Sequence, residues 1–209
     1  AALGGGVACT IYAYLTRALA RRKAAGLGGI SILCCDNIRR NGKMLQRNLF
    51  AYLNLIGAED LVEWVRAWVT FPCSMVDRIT PRTTEKLQSE VDALFGPSPF
   101  VPIMAEDFTQ WVVDDQFAAE RPDLTKVGVT FTQNVDPYEE AKIRILNGGH
   151  TCLAYLGALA GYHTFDQAMA DPELFAHFEE FERGEVLPAL TEALPFDKDL
   201  YLNQIIARF

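Results

Sequence analysis

The sequence predicts an α/β fold: a mainly parallel sheet with crossover helices up to about Val135, then a mostly α-helical part. Three observations carry this. A helical run at residues 10–25 leads into G-I-S-I-L-C-C at residues 29–35, a short apolar run of the buried-strand type. Strand-like runs recur within residues 69–81 and at 100–104, 111–113 and 127–132. Beyond Val135 the periodicity is almost entirely helical, at about 138–161, 164–170, 172–187 and 198–209.

The elements follow from local chemistry. Gly4 and Gly6 begin a G-x-G, but Cys9 takes the third glycine position and no strand precedes it, so this is a poor dinucleotide fingerprint. Thr10 is placed to cap the first helix and Gly26 to stop it. Asp36 and Asn37 follow the first strand, at the carboxyl end where parallel sheets bind ligands. A second helix spans about 40–56, with Gly57 as its stop. The third, at 59–68, carries Leu61, Trp64, Val65 and Trp68 on one stripe. The run V-T-F-P-C-S-M-V-D-R-I-T-P reads as a strand entering an irregular loop, with Asp77 and Arg78 between apolar neighbours. Residues 83–95 form an amphipathic helix stopped by Gly96 and Pro97. The glutamates of residues 179–185 read as a solvated helix face.

Composition narrows the class. Of the 209 residues, half are hydrophobic and 22% charged, which excludes a disordered chain. The net charge of −8 argues against a nucleic-acid partner, and no apolar run reaches the length of a membrane span. Five scattered cysteines form no C-x-x-C pair and no zinc spacing, which fits reduced thiols in a cytoplasmic protein. No metal site is expected.

The stretch Asp136 to Gly161 organises the chain. Asp136 suits an N-cap and Pro137 a first helical turn. Three polar residues interrupt the apolar pattern: Lys142, Asn147 and His150. At 100° per residue, Asn147 lies roughly 140° and His150 roughly 80° from Lys142, so all three can share one side. Lys142 and His150 are roughly 12 Å apart along the axis, a span that suits a small polar substrate. A desolvated lysine becomes a general base, an amide donates to a developing oxyanion, and an imidazole holds a hydroxyl. The simpler account makes Lys142 a surface residue paired with Glu139, and His150 a hydrogen-bonded core residue.

The wider words are more specific. P-Y-E-E-A-K-I-R-I-L-N-G-G-H, C-C-D-N (Cys34 to Asn37), S-M-V-D-R-I-T-P (Ser74 to Pro81) and A-E-D-F-T-Q-W-V (Ala105 to Val112) resemble, in order and separation, the long-chain polyol dehydrogenases of the mannitol 2-dehydrogenase family. The resemblance covers essentially the whole chain. It begins partway through the family's Rossmann-type unit and stops inside a helix at I-I-A-R-F, which implies a chain truncated at both ends. It implies residues 1–135 as a partial dinucleotide-binding (Rossmann-like) domain and 136–209 as an incomplete helical substrate domain. The implied activity is metal-independent interconversion of a polyol and its 2-ketose, with NAD or NADP as cofactor.

In that resemblance Lys142 matches the general base. Asn147 and Asn37 match the two amides that bind the reacting oxygen, Asn37 on the nicotinamide side. His150 and Asp77 match residues that hold substrate. Glu139 matches a carboxylate that relays the proton, although an i,i+3 ion pair with Lys142, worth about 0.2–0.5 kcal/mol, stands as the alternative. C-D-N-I-R-R-N-G leans toward arabinitol-type members. A hexuronate reductase, with Arg39 or Arg40 for the carboxylate, is the neighbouring possibility, and an inactive remnant serving as an interaction module the distant one. The expected partner is a small polyol or ketose, and the expected state a monomer or weak homo-oligomer.

Overall fold

The computed structural model describes residues 10–96, 101–191 and 193–209. The G-x-G at Gly4 and Gly6 lies outside them. Helix α1 (Ile11–Ala24) ends before Gly26, whose positive φ of 65° releases the chain into β1 (Ile30–Ser31). Helix α2 (Asn41–Leu55) ends before Gly57, also at positive φ, and α3 (Glu59–Trp68) runs into β2 (Val69–Thr70). After β3 (Ser74–Asp77), Thr84 caps α4 (Glu85–Phe95) by accepting the Leu87 N–H. Strand β4 (Gln110–Asp114) and a 3₁₀ turn at Leu124–Val127 lead to β5 (Val129–Thr132).

The fold is α/β, but the strands form two small sheets. β1 and β2 pair in parallel, Ile30 opposite Val69. β4 stands between β3, antiparallel, and β5, parallel. The single strand expected in the run at 69–81 divides because Phe71-Pro72-Cys73 interrupts it, and proline cannot donate to a ladder. The ladder of β1 stops after two residues because β2 offers only two partners. The strand expected at 100–104 is absent from its described residues, 101–104. Val101 and Ile103 are exposed there, and β propensity without a partner strand forms no ladder.

Beyond Val135 the chain is helical. α5 (Asp136–Ala141) passes without a break into a π turn over Lys142–Gly148 and then α6 (Gly149–Leu159). α7 (Phe165–Ala170) and α8 (Pro172–Phe181) follow, then a second π turn (Glu182–Val186) and α9 (Lys198–Ile206). One core joins α1, α2, α3 and β2 around Leu49, Leu53 and Val65; a second fills the helical part around Ile145, Leu153, Phe178 and Leu202. Met75, Val112 and Val135 form a small cluster between sheet and helices. None of the described helices is long and apolar enough to cross a membrane.

One polar expectation fails here. Glu182, assigned to a solvated face, is completely buried. It lies beside Gly149, where an added Cβ would collide with its Oε1 and approach Phe178 Cε2 to 2.8 Å.

Candidate active site

Three buried side chains bring distant segments together by gripping backbone groups. Asn41, with no exposure, donates to the carbonyls of Asp36 and Ser74 and accepts the N–H groups of Gly42 and Ser74. It therefore ties the loop after β1 to the start of β3. Asp114, at the end of β4, accepts the N–H groups of Cys73 and Val135. Glu139 accepts the Arg40 N–H on both carboxylate oxygens at 3.0 Å. That contact accompanies a left-handed backbone at Arg40, φ 52°, uncommon outside glycine. Asp136 does not cap its helix. It pairs with the Arg40 guanidinium at 2.6 Å, and Asn134 Oδ1 accepts the Asp136 N–H instead.

This frame fixes Asn37 opposite the organising helix. Lys142 is 5% exposed, and its Nζ donates to Asn37 Oδ1 at 2.7 Å. Burial lowers the lysine pKa, Asp77 opposes that, and Arg208 adds to it. With Oδ1 engaged, Asn37 keeps its Nδ2 donors. Asn147 faces the same space, and its amide makes no hydrogen bond to any described residue. The π turn explains this convergence. Its i→i+5 bonding brings residues five apart, as Lys142 and Asn147 are, toward one face, whereas an α-helix holds them roughly 140° apart.

Asn37, Asp77, Lys142 and Asn147 line one cleft of about 560 Å³, with Val76 and Trp111 in its apolar wall. A smaller gap of about 10 Å³, the size of one water, adjoins Lys142, Asn37 and Glu139. Glu139 makes no ion pair with Lys142; burial raises its pKa and the Arg40 N–H lowers it. The structure does not bring His150 into the lining. Its ring stacks on Phe165, centroids 4.2 Å apart, and meets the Phe209 ring edge-on at 6.0 Å, so aromatic packing within the helical part takes it. Asp77 lines the cleft, yet both its oxygens accept from Arg208 at 2.8 and 2.9 Å. Of the two arginines considered for a substrate carboxylate, Arg40 is engaged by Asp136 and Arg39 lies exposed.

Arg208, Glu106 and Asn41 were not distinguished by sequence. Asn41 and Glu106 lie inside the runs C-D-N-I-R-R-N-G and A-E-D-F that carry the family resemblance. Arg208 had no signal, since its partner is 131 positions away.

Comparison with known proteins decides the family. The model of the mannitol dehydrogenase Rossmann domain matches residues 2–126, and that of the mannitol dehydrogenase C-terminal domain residues 134–209. The chain belongs to the mannitol dehydrogenase family. Within it, this chain is similar to D-arabinitol 4-dehydrogenase of Ralstonia nicotianae, 39% identical over 98% of the chain and 44% of that relative. It is 36% identical to polyol:NADP oxidoreductase of Gluconobacter oxydans, over 96% of the chain and 41% of the relative. A solved structure, Pseudomonas fluorescens mannitol 2-dehydrogenase in a ternary complex with NAD and D-mannitol, superposes with a TM-score of 0.83 at 38% identity, over 95% of this chain and 40% of that one. The chain thus spans less than half the length of these mannitol dehydrogenase family relatives.

Proposed function

We propose that the protein is an NAD(P)-dependent, metal-independent polyol dehydrogenase that interconverts a polyol and its 2-ketose. The observation that carries the reading is the buried Lys142 held on Asn37, with Asn147 facing the same cleft. Residues 1–135 form the cofactor part and 136–209 the substrate part. The cofactor side fits: Asn37 follows the carboxyl end of a parallel strand, where such sheets bind nucleotides, and opens onto the cleft. A bound nicotinamide supplies the hydride acceptor. A relative's name specifies NADP and a neighbour's complex contains NAD, which favours this cofactor class.

In this reading neutral Lys142 Nζ takes the proton of the reacting hydroxyl. Asn147 and the Asn37 Nδ2 group donate to the oxygen as charge develops, each worth a few kcal/mol in such sites. Glu139 receives the proton from Lys142 through the water-sized gap between them. Asp77 holds substrate hydroxyls with the lone pairs that Arg208 leaves open. His150 orients substrate only if its ring leaves Phe165.

The test is a pH–rate profile of polyol oxidation. The rate rises with pH through one ionisation, because only the neutral amine accepts a proton. Lys142→Ala removes that ionisation and lowers the rate by about 10²–10⁴. A Lys142→Ala protein with the same profile and near-normal rate overturns the assignment.

A further inference from the structure

Arg208, just beyond α9, makes four side-chain hydrogen bonds beside the cleft. Its Nη1 and Nη2 grip the two oxygens of Asp77 at 2.8 and 2.9 Å. Its Nε and Nη2 grip Glu106 at 3.0 and 2.7 Å. Its guanidinium carbon lies 4.0 Å from the centroid of the Phe108 ring. Glu106 in turn accepts the Ile79 N–H at 2.6 Å. Four hydrogen bonds and a stacked ring leave the guanidinium one position, and the fork matches a carboxylate plane. The three ionic side chains are largely buried, at 8% exposure for Arg208, 3% for Asp77 and 19% for Glu106.

We propose that Arg208 is a positioning residue for Lys142: it holds Asp77 in the cleft wall and keeps that carboxylate from pairing with the lysine. Asp77 and Lys142 line the same cleft, yet Lys142 bonds Asn37 and makes no ion pair with Asp77. Two buried carboxylates share the single charge of Arg208. Without it, Asp77 keeps its charge in a cleft it shares with the buried Lys142 and can pair with it; Arg78, the other cation of that lining, is exposed and donates its Nε to the Glu106 carbonyl. The resulting pair would stabilise the ammonium and draw Nζ away from Asn37.

The charged and titratable groups on elements around Lys142 are Asp77 on β3, Arg78 just after it, Tyr201 and Arg208 at α9, Glu139 and Glu140 on α5, Glu182 in the second π turn, and Asp36, Arg39 and Arg40 in the loop after β1. Glu139 is turned to Arg40, Glu140 to Arg144 and Thr191, and Asp36 Oδ1 to the Asn37 N–H. Asp77 and Arg208 are the two whose charge acts on the lysine, in opposite directions. The inference rests on the reading of Lys142 as the base, but its geometry stands without catalysis.

The test reads the amine directly. Trace acylation of Lys142 is followed against pH by peptide mass spectrometry, and the midpoint is used because the plateau also reflects access. In Arg208→Gln the midpoint moves up, so that labelling below it is about tenfold slower relative to its own plateau, the scale of one opposite charge gained nearby. Arg208→Lys keeps most of the wild-type midpoint, and adding Asp77→Asn to Arg208→Gln brings it back down. An unchanged midpoint in folded Arg208→Gln, or one that Asp77→Asn does not reverse, overturns the proposal. If Arg208→Gln does not fold, Asp77→Asn alone decides: a lower midpoint supports the proposal and an unchanged or higher one overturns it. A shifted midpoint in Arg208→Gln, together with an intact activity profile in Lys142→Ala, upholds the positioning role and rejects only the base assignment.

Discussion

Glu182 offers a stability test that needs no substrate. Its side chain has no exposure, and neither carboxylate oxygen has a hydrogen-bond partner among the described residues. Burial pushes its pKa from 4.5 up to about 8, since the anion loses hydration that nothing replaces. The folded-state pKa lies above the unfolded one. Between the two values the folded state retains a proton that the unfolded state has released, so stability falls as pH rises through this window. Below about 4.5 both states are protonated and no penalty exists; above about 8 both are ionised and the penalty is complete. At about 1.4 kcal/mol per pH unit, the penalty reaches about 3 kcal/mol at pH 7 and about 5 kcal/mol at its limit. Glu182→Gln keeps the shape and cannot ionise. The variant should match wild type near pH 4.5 and exceed it by about 3 kcal/mol at pH 7, which for a chain of this size is roughly 6–12 °C in Tm. Urea unfolding of both proteins at several pH values from 5 to 8.5 measures this difference. A difference that does not change with pH would show that Glu182 is already ionised in the fold, and the reasoning fails.

Three further outcomes follow from the site. Asn147→Ala should lower kcat about a hundredfold with a smaller change in KM, and should leave the Tm unchanged because the amide bonds no described residue; the double variant with Asn37→Ala should be less than additive. Polyol oxidation should survive exhaustive chelation, because in the proposed mechanism Lys142 and two amides do the work of a Lewis acid; stoichiometric zinc whose removal abolishes activity would contradict this. Gly42→Ala should destabilise by about 3 kcal/mol by thermal or urea unfolding, since the new Cβ would meet the Phe71 carbonyl oxygen and lie 2.5 and 2.7 Å from the Pro72 carbonyl oxygen and carbon, none of which can rotate away.

What was legible in the sequence is what local chemistry decides. Helix α3 was read to the residue, because an apolar stripe and Gly57 are local signals. The segment at 100–104 misled because its apolar residues look like a strand whether or not a partner exists. Glu182 misled because a glutamate in an acidic run carries no mark of burial; that is set by Gly149, 33 positions away, which admits the close approach. Lys142 and Asn147 stand out by helical spacing, Asn37 and Asp77 by resemblance, and one cleft unites the four. His150 shares the face of Lys142 and Asn147 by helical spacing, but its ring packs on Phe165 and Phe209, which lie 15 and 59 positions further on and carry no local signal.

The residues that assemble the site share a habit that sequence patterns do not encode. Asn41, Asp114 and Glu139 are all buried, and each turns its side chain on the backbone of another segment. Such bonds are directional and leave no donor unpaired, so they fix loops that apolar contacts alone would let slide. Asn37 sits on a loop held by two of them, at Asn41 and at Arg40. Strand β3, which carries Asp77, is held by Asn41 at Ser74, with Asp114 gripping the preceding Cys73. The reacting groups can therefore be few and mobile at their tips while the backbone beneath them is not. Arg208 extends the same logic from backbone to side chain, reaching across 131 positions to fix a carboxylate. A lysine that is to shed its proton is best placed where the carboxylates beside it already have partners, and near Lys142 Asp77 is held by Arg208 and Glu139 by the Arg40 N–H.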